Sequence, residues 1–164
     1  MPNTITERGL HVIMQWERFR AVPYHDGGTV MSKGFGHSNI GDPSFDDSPW
    51  TLEYATEVLS KDLEKFGKLL EPHLKVEIPD SLYSCILSLA YNKGVGRLVR
   101  SDQWKILHDT SDQYHKEAFC ESILHYAIEA PNKITGEMEE KKGLRWRRIA
   151  EAGLFMQDRS ENYL

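Results

Sequence analysis

One apolar stretch constrains the fold more than any other part of the sequence. It runs from Ser81 to Asn92, lies between Asp80 and Gly94, and contains no charged residue. Its apolar side chains fall nearly all round a helix, so the rest of the protein must cover that helix on every side. The stretch is far shorter than the roughly 20 apolar residues that a membrane span needs. The sequence therefore predicts a soluble, mostly helical protein built round this segment.

Length and charge limit what the chain can do. With 164 residues it fits one compact domain, and its 20 Lys and Arg against 25 Asp and Glu leave a net charge of −5. This balance argues against nucleic acid as a partner, because nucleic-acid-binding proteins usually carry a basic surplus. The polar start of the chain has no apolar signal core. Cys85 and Cys120 lie in apolar helical patterns and are predicted to be buried free thiols.

Hydrophobic spacing predicts helices on both sides of a short strand-rich island. The helices are predicted over about residues 5–18, 51–70, 80–93, 101–108, 111–128 and 144–156. From Tyr24 to His37, a Gly-Gly turn and strand-forming residues predict an antiparallel hairpin or meander. The Asp-, Ser- and Pro-rich residues 42–49 predict a surface loop. Thr4 is predicted to cap the first helix in a capping box, and Thr51 the long one.

Glu17, Asp26 and Ser32 are the candidate catalytic residues. Glu17 ends an apolar helix beside Trp16 and Phe19, where partial burial would disfavour the anion and let the group hold a proton. Asp26, on a polar hairpin, would stay ionised and activate water, and the Ser32 hydroxyl could hold the same water. Two carboxylates in unlike environments are what cleavage of a glycosidic bond requires. The alternative from these residues alone is that both acids are ordinary surface residues.

Three motifs in order along the chain carry a family resemblance. In the first motif, Asp26 comes nine residues after Glu17 and Ser32 six residues later, followed by Gly34-Phe35-Gly36-His37. The second motif ends the apolar stretch with Tyr91-Asn92-Lys93-Gly94. The third lies near the C-terminus and consists of Gly143-Leu144, Arg147-Arg148, Glu151 and Leu154-Phe155. Together they span nearly the whole chain. This pattern resembles the phage-type lysozymes, or endolysins, of glycoside hydrolase family 24.

The resemblance implies an α+β, mostly helical lysozyme-like fold. It implies one domain over residues 1–164, with an N-terminal helix and small β-lobe over about 1–50. A connecting helix over about 51–71 would lead to a helical lobe over about 72–164. The active-site cleft is expected between the two lobes.

The resemblance also implies a reaction. The family hydrolyses the β-1,4 bond between N-acetylmuramic acid and N-acetylglucosamine in bacterial peptidoglycan, and is regarded as inverting. Glu17 takes the general-acid position and Asp26 the water-activating position. Tyr91, Asn92 and Tyr126 fall near positions that line the family's sugar-binding cleft. No cofactor and no metal are implied, the partner is the peptidoglycan glycan strand, and the protein is expected to be a monomer.

Two positions depart from the family pattern. Ser32 stands where a threonine is usual, so the hydroxyl is kept but the methyl group that stiffens χ1 is lost. Tyr126 stands roughly where a tryptophan is common. We expect Ser32 still to assist water with some loss of positioning, and Tyr126 to alter substrate affinity or preference.

His37 and a basic segment are the remaining candidates. No second His or Cys lies at metal-ligand spacing from His37. His37 is therefore predicted to have a structural hydrogen-bonding role within the turn formed by Gly34-Phe35-Gly36-His37. Residues 141–148 carry five positive charges in eight positions. They either form a solvated helix start, or one arginine reaches the cleft and pairs with Glu17 or a substrate carboxylate. Arg145 and Arg148 are the candidates for that contact.

Two other functions stay open on the sequence. A lytic transglycosylase would cut the same bond with a single acid, but the presence of Asp26 and Ser32 favours hydrolysis. A non-catalytic module that binds peptidoglycan or a protein partner is disfavoured by the intact Glu17. Without a signal or membrane anchor, an endolysin of this kind is expected to wait in the host bacterial cytoplasm. The motifs fit a virion lysozyme or a secreted effector equally well.

Overall fold

The computed structural model describes residues 2–25, 30–132 and 134–161. The helices are α1 (Glu7–Glu17), α2 (Leu52–Leu70), α3 (Asp80–Lys93), α4 (Val95–Leu98), α5 (Asp102–His108), α6 (His115–Ile123) and α7 (Lys142–Glu161), with a 3-10 turn at Glu71–His73. The strands are β1 (Arg20–His25), β2 (Met31–Gly34), β3 (His37–Ser38), β4 (Glu129–Pro131) and β5 (Met138–Glu140). The architecture is α+β and mostly helical, as predicted.

Helix α3 is the centre of the helical part. Its residues from Ser81 to Ala90 are buried except Tyr83, and α1, α2 and α7 pack against it. Ser84 and Ser88 are as completely buried as the apolar residues, because each hydroxyl donates a hydrogen bond. The helix ends at Gly94, whose φ of +84° favours glycine. The prediction of a buried central helix is confirmed.

Helix α1 lies very close to α3 at Gly9. A Cβ atom added to Gly9 would lie 2.5 Å from Ser84 Cβ, so only glycine allows this approach. The predicted cap of α1 is wrong: Thr6 accepts the hydrogen bond from the Gly9 N–H at 3.0 Å. Thr4 instead donates to Asp80 Oδ2 at 2.9 Å. Contacts with α3 therefore decide where α1 begins.

The strand-rich island is a three-stranded antiparallel sheet in the order β1-β2-β3. It begins earlier than predicted, at Arg20, and Pro23 is tolerated because β1 is an edge strand. In the register, Ser32 pairs with Tyr24 on one side and with Ser38 on the other. Residues 42–49 form a loop, and Thr51 caps α2 by accepting from the Tyr54 N–H at 3.2 Å, both as predicted.

The region after α6 differs from the prediction. The helix expected over about 111–128 is shorter, and the antiparallel hairpin of β4 and β5 follows it. Sequence periodicity does not predict this hairpin, because its side chains are largely exposed and apolar and polar residues hardly alternate along its two short strands. Helix α7 then begins at Lys142 and is longer than expected. None of the helices formed by the described residues has the length and apolar character needed to cross a membrane.

Candidate active site

Glu17 lies at the C-terminal end of α1, in a cleft of about 370 Å³ between the sheet and the helices. The cleft is lined from α1, the sheet, α2 and α3, including Glu17, Tyr24, Gly36, Asp62, Tyr91 and Asn92. Helix α1 ends there because Arg18 adopts a φ of +56°, which turns the chain into β1. The Glu17 side chain is 19% exposed, so it is partly desolvated yet open to the cleft.

Arg147 is the cation beside Glu17. Its Nη2 lies 2.7 Å from Glu17 Oε1, but the two groups are not aligned as a hydrogen bond, so the contact is an ion pair. The Arg147 side chain is only 5% exposed. Its Nε donates to Glu151 Oε1 at 3.0 Å, so one guanidinium joins two carboxylates.

The two arginines predicted for this contact do not make it. Arg145 pairs with Glu140 through Nη2 and Oε2, 2.9 Å apart, on the protein surface. Arg148 is fully buried and donates to Glu151 and to Asn92 Oδ1. Burial lowers its pKa, although the negative charge of Glu151 opposes that shift. The way α7 packs places Arg147 beside Glu17 instead. The sequence analysis missed this residue, although Arg147 and Glu151 show the four-residue spacing of a helical ion pair.

The sheet contributes the opposite side of the cleft. Ser32 is buried in β2, between Tyr24 of β1 and Ser38 of β3. Directly paired residues of antiparallel strands have side chains on the same face. Because Tyr24 and Ser38 line the cleft, Ser32 lies on the same face of the sheet, although Ser32 itself is buried and is not among the residues that line the cleft. Asp26, the second candidate carboxylate, lies outside the described residues.

Helix α3 forms the wall that was predicted to bind sugar. Tyr91 and Asn92 both line the cleft. The Tyr91 hydroxyl donates to the Phe35 carbonyl at 3.0 Å, and burial raises its pKa well above the ordinary value, so it stays a neutral donor. Tyr126 is half-buried against the core and is not among the residues that line this cleft. The structure thus brings Tyr91 and Asn92 to Glu17, but does not place Tyr126 with them.

Gly36 keeps the space beside Glu17 open. It has a φ of +89°, and an added Cβ would lie 3.6 Å from Glu17 Oε2 and 3.9 Å from the Tyr91 hydroxyl. Gly34 also has a positive φ, of +66°, and faces the Trp50 ring. The two glycines therefore let the turn between β2 and β3 pass close to the acid and to α2.

His37 joins the sheet to α2. Its Nδ1 lies 2.6 Å from Asp62 Oδ2 and its Nε2 3.0 Å from Asp42 Oδ2. Because carboxylates only accept, both ring nitrogens donate and the ring is an imidazolium when both bonds form. The hydrogen bond to Asp62 accordingly raises the pKa of His37, although burial opposes the shift. Hydrogen bonds from Ser44, with a smaller contribution from His37, lower the pKa of Asp42 to about 2.

Lys33 is a buried cation that the sequence did not identify. Its ammonium group donates to the Asp46 and Ser48 carbonyls at 2.8 and 3.1 Å, and lies 4.5 Å from the centroid of the Trp50 ring. These contacts fasten the loop after β3 onto the sheet. The described residues contain no group of three or more His, Cys, Asp or Glu that could hold a metal ion.

A second cavity lies away from Glu17. This groove of about 450 Å³ runs between the N-terminal segment and α2, and Gly67 and Tyr83 contribute to its lining. It shares no lining residue with the cleft beside Glu17. The larger cavity brings no candidate acid together with a candidate sugar-binding residue, so size does not identify the site. The cleft beside Glu17 brings the candidate acid together with Tyr91 and Asn92.

Comparison with known proteins gives consistent matches. The phage lysozyme family model matches residues 14–151. An endolysin of Acyrthosiphon pisum secondary endosymbiont phage 1 is 29% identical over 154 residues, covering 92% of this chain and 97% of that protein. An endolysin from Escherichia coli O157:H7 phage FAHEc1 superposes with a TM-score of 0.77 at 23% identity, over 94% of both chains. The muramidase domain of SpmX from Asticaccaulis excentricus superposes with a TM-score of 0.80 at 18% identity, over 94% of this chain and 98% of that one.

Proposed function

This chain belongs to the phage lysozyme family and is a peptidoglycan hydrolase, and from that premise we propose that Glu17 is its general acid. Glu17 protonates the glycosidic oxygen between N-acetylmuramic acid and N-acetylglucosamine as the bond breaks. Asp26 removes a proton from the attacking water, and Ser32 helps to hold that water. Water attacks from the face opposite the leaving group, so the reaction inverts the anomeric carbon.

The position of Glu17 supports this role most directly. Its carboxyl group is at the C-terminal end of α1, opens into the cleft, and has a neighbour without a side chain in Gly36. A sugar oxygen can therefore approach it. On the other side of the cleft, Ser32 belongs to the cleft-facing row of the sheet, and Asp26 follows the end of β1 in the sequence.

Tyr91 and Asn92 are the proposed contacts to the sugar. The Tyr91 ring is fixed by its hydroxyl bond to Phe35 and by the Phe66 ring, with centroids 5.2 Å apart. A fixed ring binds a sugar face with little further loss of side-chain entropy. Arg148 holds the Asn92 carbonyl oxygen, which leaves the Asn92 amide N–H groups as donors for a sugar oxygen.

The test is lysis of chloroform-permeabilised Gram-negative cells by purified wild type and Glu17→Gln. Glutamine has nearly the same shape but cannot donate a proton at neutral pH, so we expect loss of at least about 100-fold in rate. The matched control is Glu7→Gln, which makes the same change at an exposed residue of the same helix and should lyse cells like the wild type. Equal clearing by Glu17→Gln and wild type would refute the acid role.

Hydrolysis and transglycosylation are distinguished by their products. A hydrolase adds water and leaves a reducing muramic acid end, whereas a transglycosylase leaves an anhydro sugar lighter by one water. We expect the mass spectrum of digested peptidoglycan to show the hydrated product, and Asp26→Asn to lose most activity. An anhydro product together with an active Asp26→Asn would favour the single-acid reaction instead.

The proposal extends to where the enzyme acts. It accumulates as a monomer in the host bacterial cytoplasm and reaches the cell wall through a separate membrane pore. Expression in bacteria without a pore-forming protein should leave the culture intact, whereas permeabilising the inner membrane should cause prompt lysis. Spontaneous lysis without permeabilisation would contradict this release route.

A further inference from the structure

Glu151 is a buried carboxylate at the centre of a polar network. It is fully buried in α7, yet it accepts hydrogen bonds from three side chains. The Ser88 hydroxyl donates to Oε1 at 2.7 Å, and Arg147 Nε donates to the same oxygen at 3.0 Å. Arg148 Nη1 donates to Oε2. A charge in this position must be paired and hydrogen-bonded to be tolerated, and Glu151 meets both conditions.

The two arginines lead from Glu151 to different parts of the cleft. Arg147 reaches Glu17, with Nη2 2.7 Å from Oε1. Arg148 reaches Asn92, to whose side-chain oxygen its Nη2 donates. One carboxylate therefore orients both the cation beside the proposed acid and the cation beside a proposed sugar-binding residue.

We propose that Glu151 is a positioning residue that sets the charge experienced by Glu17 and fixes the orientation of Asn92. The inference rests on the proposed role of Glu17 as general acid. An unshared Arg147 cation would favour the ionised form of Glu17, which cannot donate a proton. Because Glu151 shares that cation, its negative charge opposes the effect.

Other charged or titratable groups also face this network or the cleft. From α3 these are Cys85, Tyr91 and Lys93. From α4, α6 and the segment after α6 they are Arg97, Cys120 and Tyr126, and from the sheet and α2 they are Tyr24, His37, Asp62 and Lys65. Asp26 is outside the described residues. Burial and the neighbouring arginines lower the pKa of Lys93. The variants below leave these groups in place, so a change between variants reports on the network.

The first test is the pH profile of kcat/KM on purified peptidoglycan for Glu151→Gln. Loss of the negative charge leaves the Arg147 cation beside Glu17 without its second carboxylate partner, so the ionised form of Glu17 gains. The alkaline limb, where the acid loses its proton, should move down by about one pH unit. The matched control is Glu140→Gln, which removes a carboxylate from the surface pair with Arg145. Its limb should stay at the wild-type position at equal ionic strength.

A second pair of variants separates charge from damage to the fold. Arg148→Gln removes a cation that faces Glu151, so the limb should move up, opposite to Glu151→Gln. Glu151→Asp keeps the charge, so its limb should stay near that of the wild type even if its rate falls. A destabilised core would lower rates in all three variants without moving the limb in opposite directions. Thermal unfolding identifies any variant that is not folded at the assay temperature.

Several results would overturn the inference. One is an alkaline limb of the kcat/KM profile that stays at the wild-type pH in folded Glu151→Gln. Another is an alkaline limb that moves in the same direction in Glu151→Gln and in Arg148→Gln. If Glu151→Gln does not fold, the test rests on Arg148→Gln. An alkaline limb at the wild-type pH or below it then overturns the inference, and an alkaline limb at higher pH supports it. Failure of the proposed function gives a different result: full activity of Glu17→Gln would show that Glu17 is not the general acid. With Glu17 established as the acid, only the role of Glu151 is at stake.

Discussion

Arg147 bridges Glu17 and Glu151, with Nη2 2.7 Å from one carboxylate and Nε 3.0 Å from the other. The planar guanidinium can face two carboxylates at once, which a single ammonium group does less well. This contact joins the end of α1 to the start of α7, which are far apart in the sequence. The Arg147 side chain thus contacts the proposed acid and joins two helices that pack on α3.

Replacing Arg147 by lysine should weaken the fold and the activity together. Lysine keeps the charge but cannot serve Glu17 and Glu151 in the same geometry, so one buried carboxylate loses a partner. We expect the free energy of unfolding to fall by about 1 to 3 kcal/mol, measured by urea denaturation. The control Arg145→Lys alters only an exposed pair with Glu140 and should cost less than about 0.5 kcal/mol. Equal stability of the two variants would contradict the bridging role.

Ser32 offers a test of water positioning. Ser32→Ala removes the hydroxyl from the cleft-facing row of the sheet, and we expect kcat/KM to fall on the order of 10- to 100-fold. Ser32→Thr keeps the hydroxyl and adds the methyl group that stiffens χ1, so we expect a faster enzyme than the wild type. The measurement is initial hydrolysis of purified peptidoglycan. An unchanged rate in Ser32→Ala would exclude a role for the hydroxyl, and no gain in Ser32→Thr would show that serine carries no positioning cost.

The His37 ion pairs predict a pH dependence of stability. Hydrogen bonding to Asp62 raises the pKa of His37, so its stabilising effect is full below the ordinary value of 6.5 and is lost as the pH rises through the higher folded pKa. Burial tends to raise the pKa of Asp62, but hydrogen bonds from His37 and Lys65 outweigh it and lower the pKa below 3.8. The carboxylate contribution is therefore present above that value and is lost in acid.

His37→Gln should consequently cost more stability at mildly acidic pH than at alkaline pH. We expect the loss in free energy of unfolding to be larger by about 1 kcal/mol or less at about pH 5.5 than at about pH 9, because solvent screens the pairs. Urea denaturation at both pH values measures it. The control is His11→Gln, at an exposed position of α1, which should show no such difference. A loss that does not depend on pH would mean that the His37 ring contributes by packing alone.

Gly9 allows a test of the close contact between α1 and α3, because a larger side chain there should lower the free energy of unfolding. Gly9→Ala places a Cβ within 2.5 Å of Ser84 Cβ, so the helices must shift apart. Overpacking of this kind costs about 1 to 3 kcal/mol, which exceeds the roughly 1 kcal/mol that alanine gains over glycine in a helix. The control is Gly153→Ala in α7, where the added Cβ meets only the Gln157 side chain at 3.9 Å and should stabilise the protein. A stabilised Gly9→Ala, measured by thermal unfolding, would contradict the close contact.

The sequence by itself predicted the elements that depend on local chemistry. Helix α3 follows from an apolar run that ends in a glycine, and the start of α2 follows from Thr51, whose hydroxyl reaches a nearby N–H. The family motifs identified Glu17 as a candidate acid before its surroundings were known. The two helix predictions need only residues within a few positions of one another, where periodicity and capping are reliable.

Only the tertiary structure decided which distant groups meet. Arg145, Arg147 and Arg148 lie within one turn of α7, and the packing of that helix on α3, not the sequence pattern, turns Arg147 toward Glu17. Thr6 rather than Thr4 caps α1, because Asp80 of α3 binds Thr4. Lys33 is a buried cation that no sequence pattern identified, because carbonyl groups of a following loop accept from it. In each case the free energy comes from partners far away in the chain, and their distance and orientation exist only once the helices and the sheet have packed.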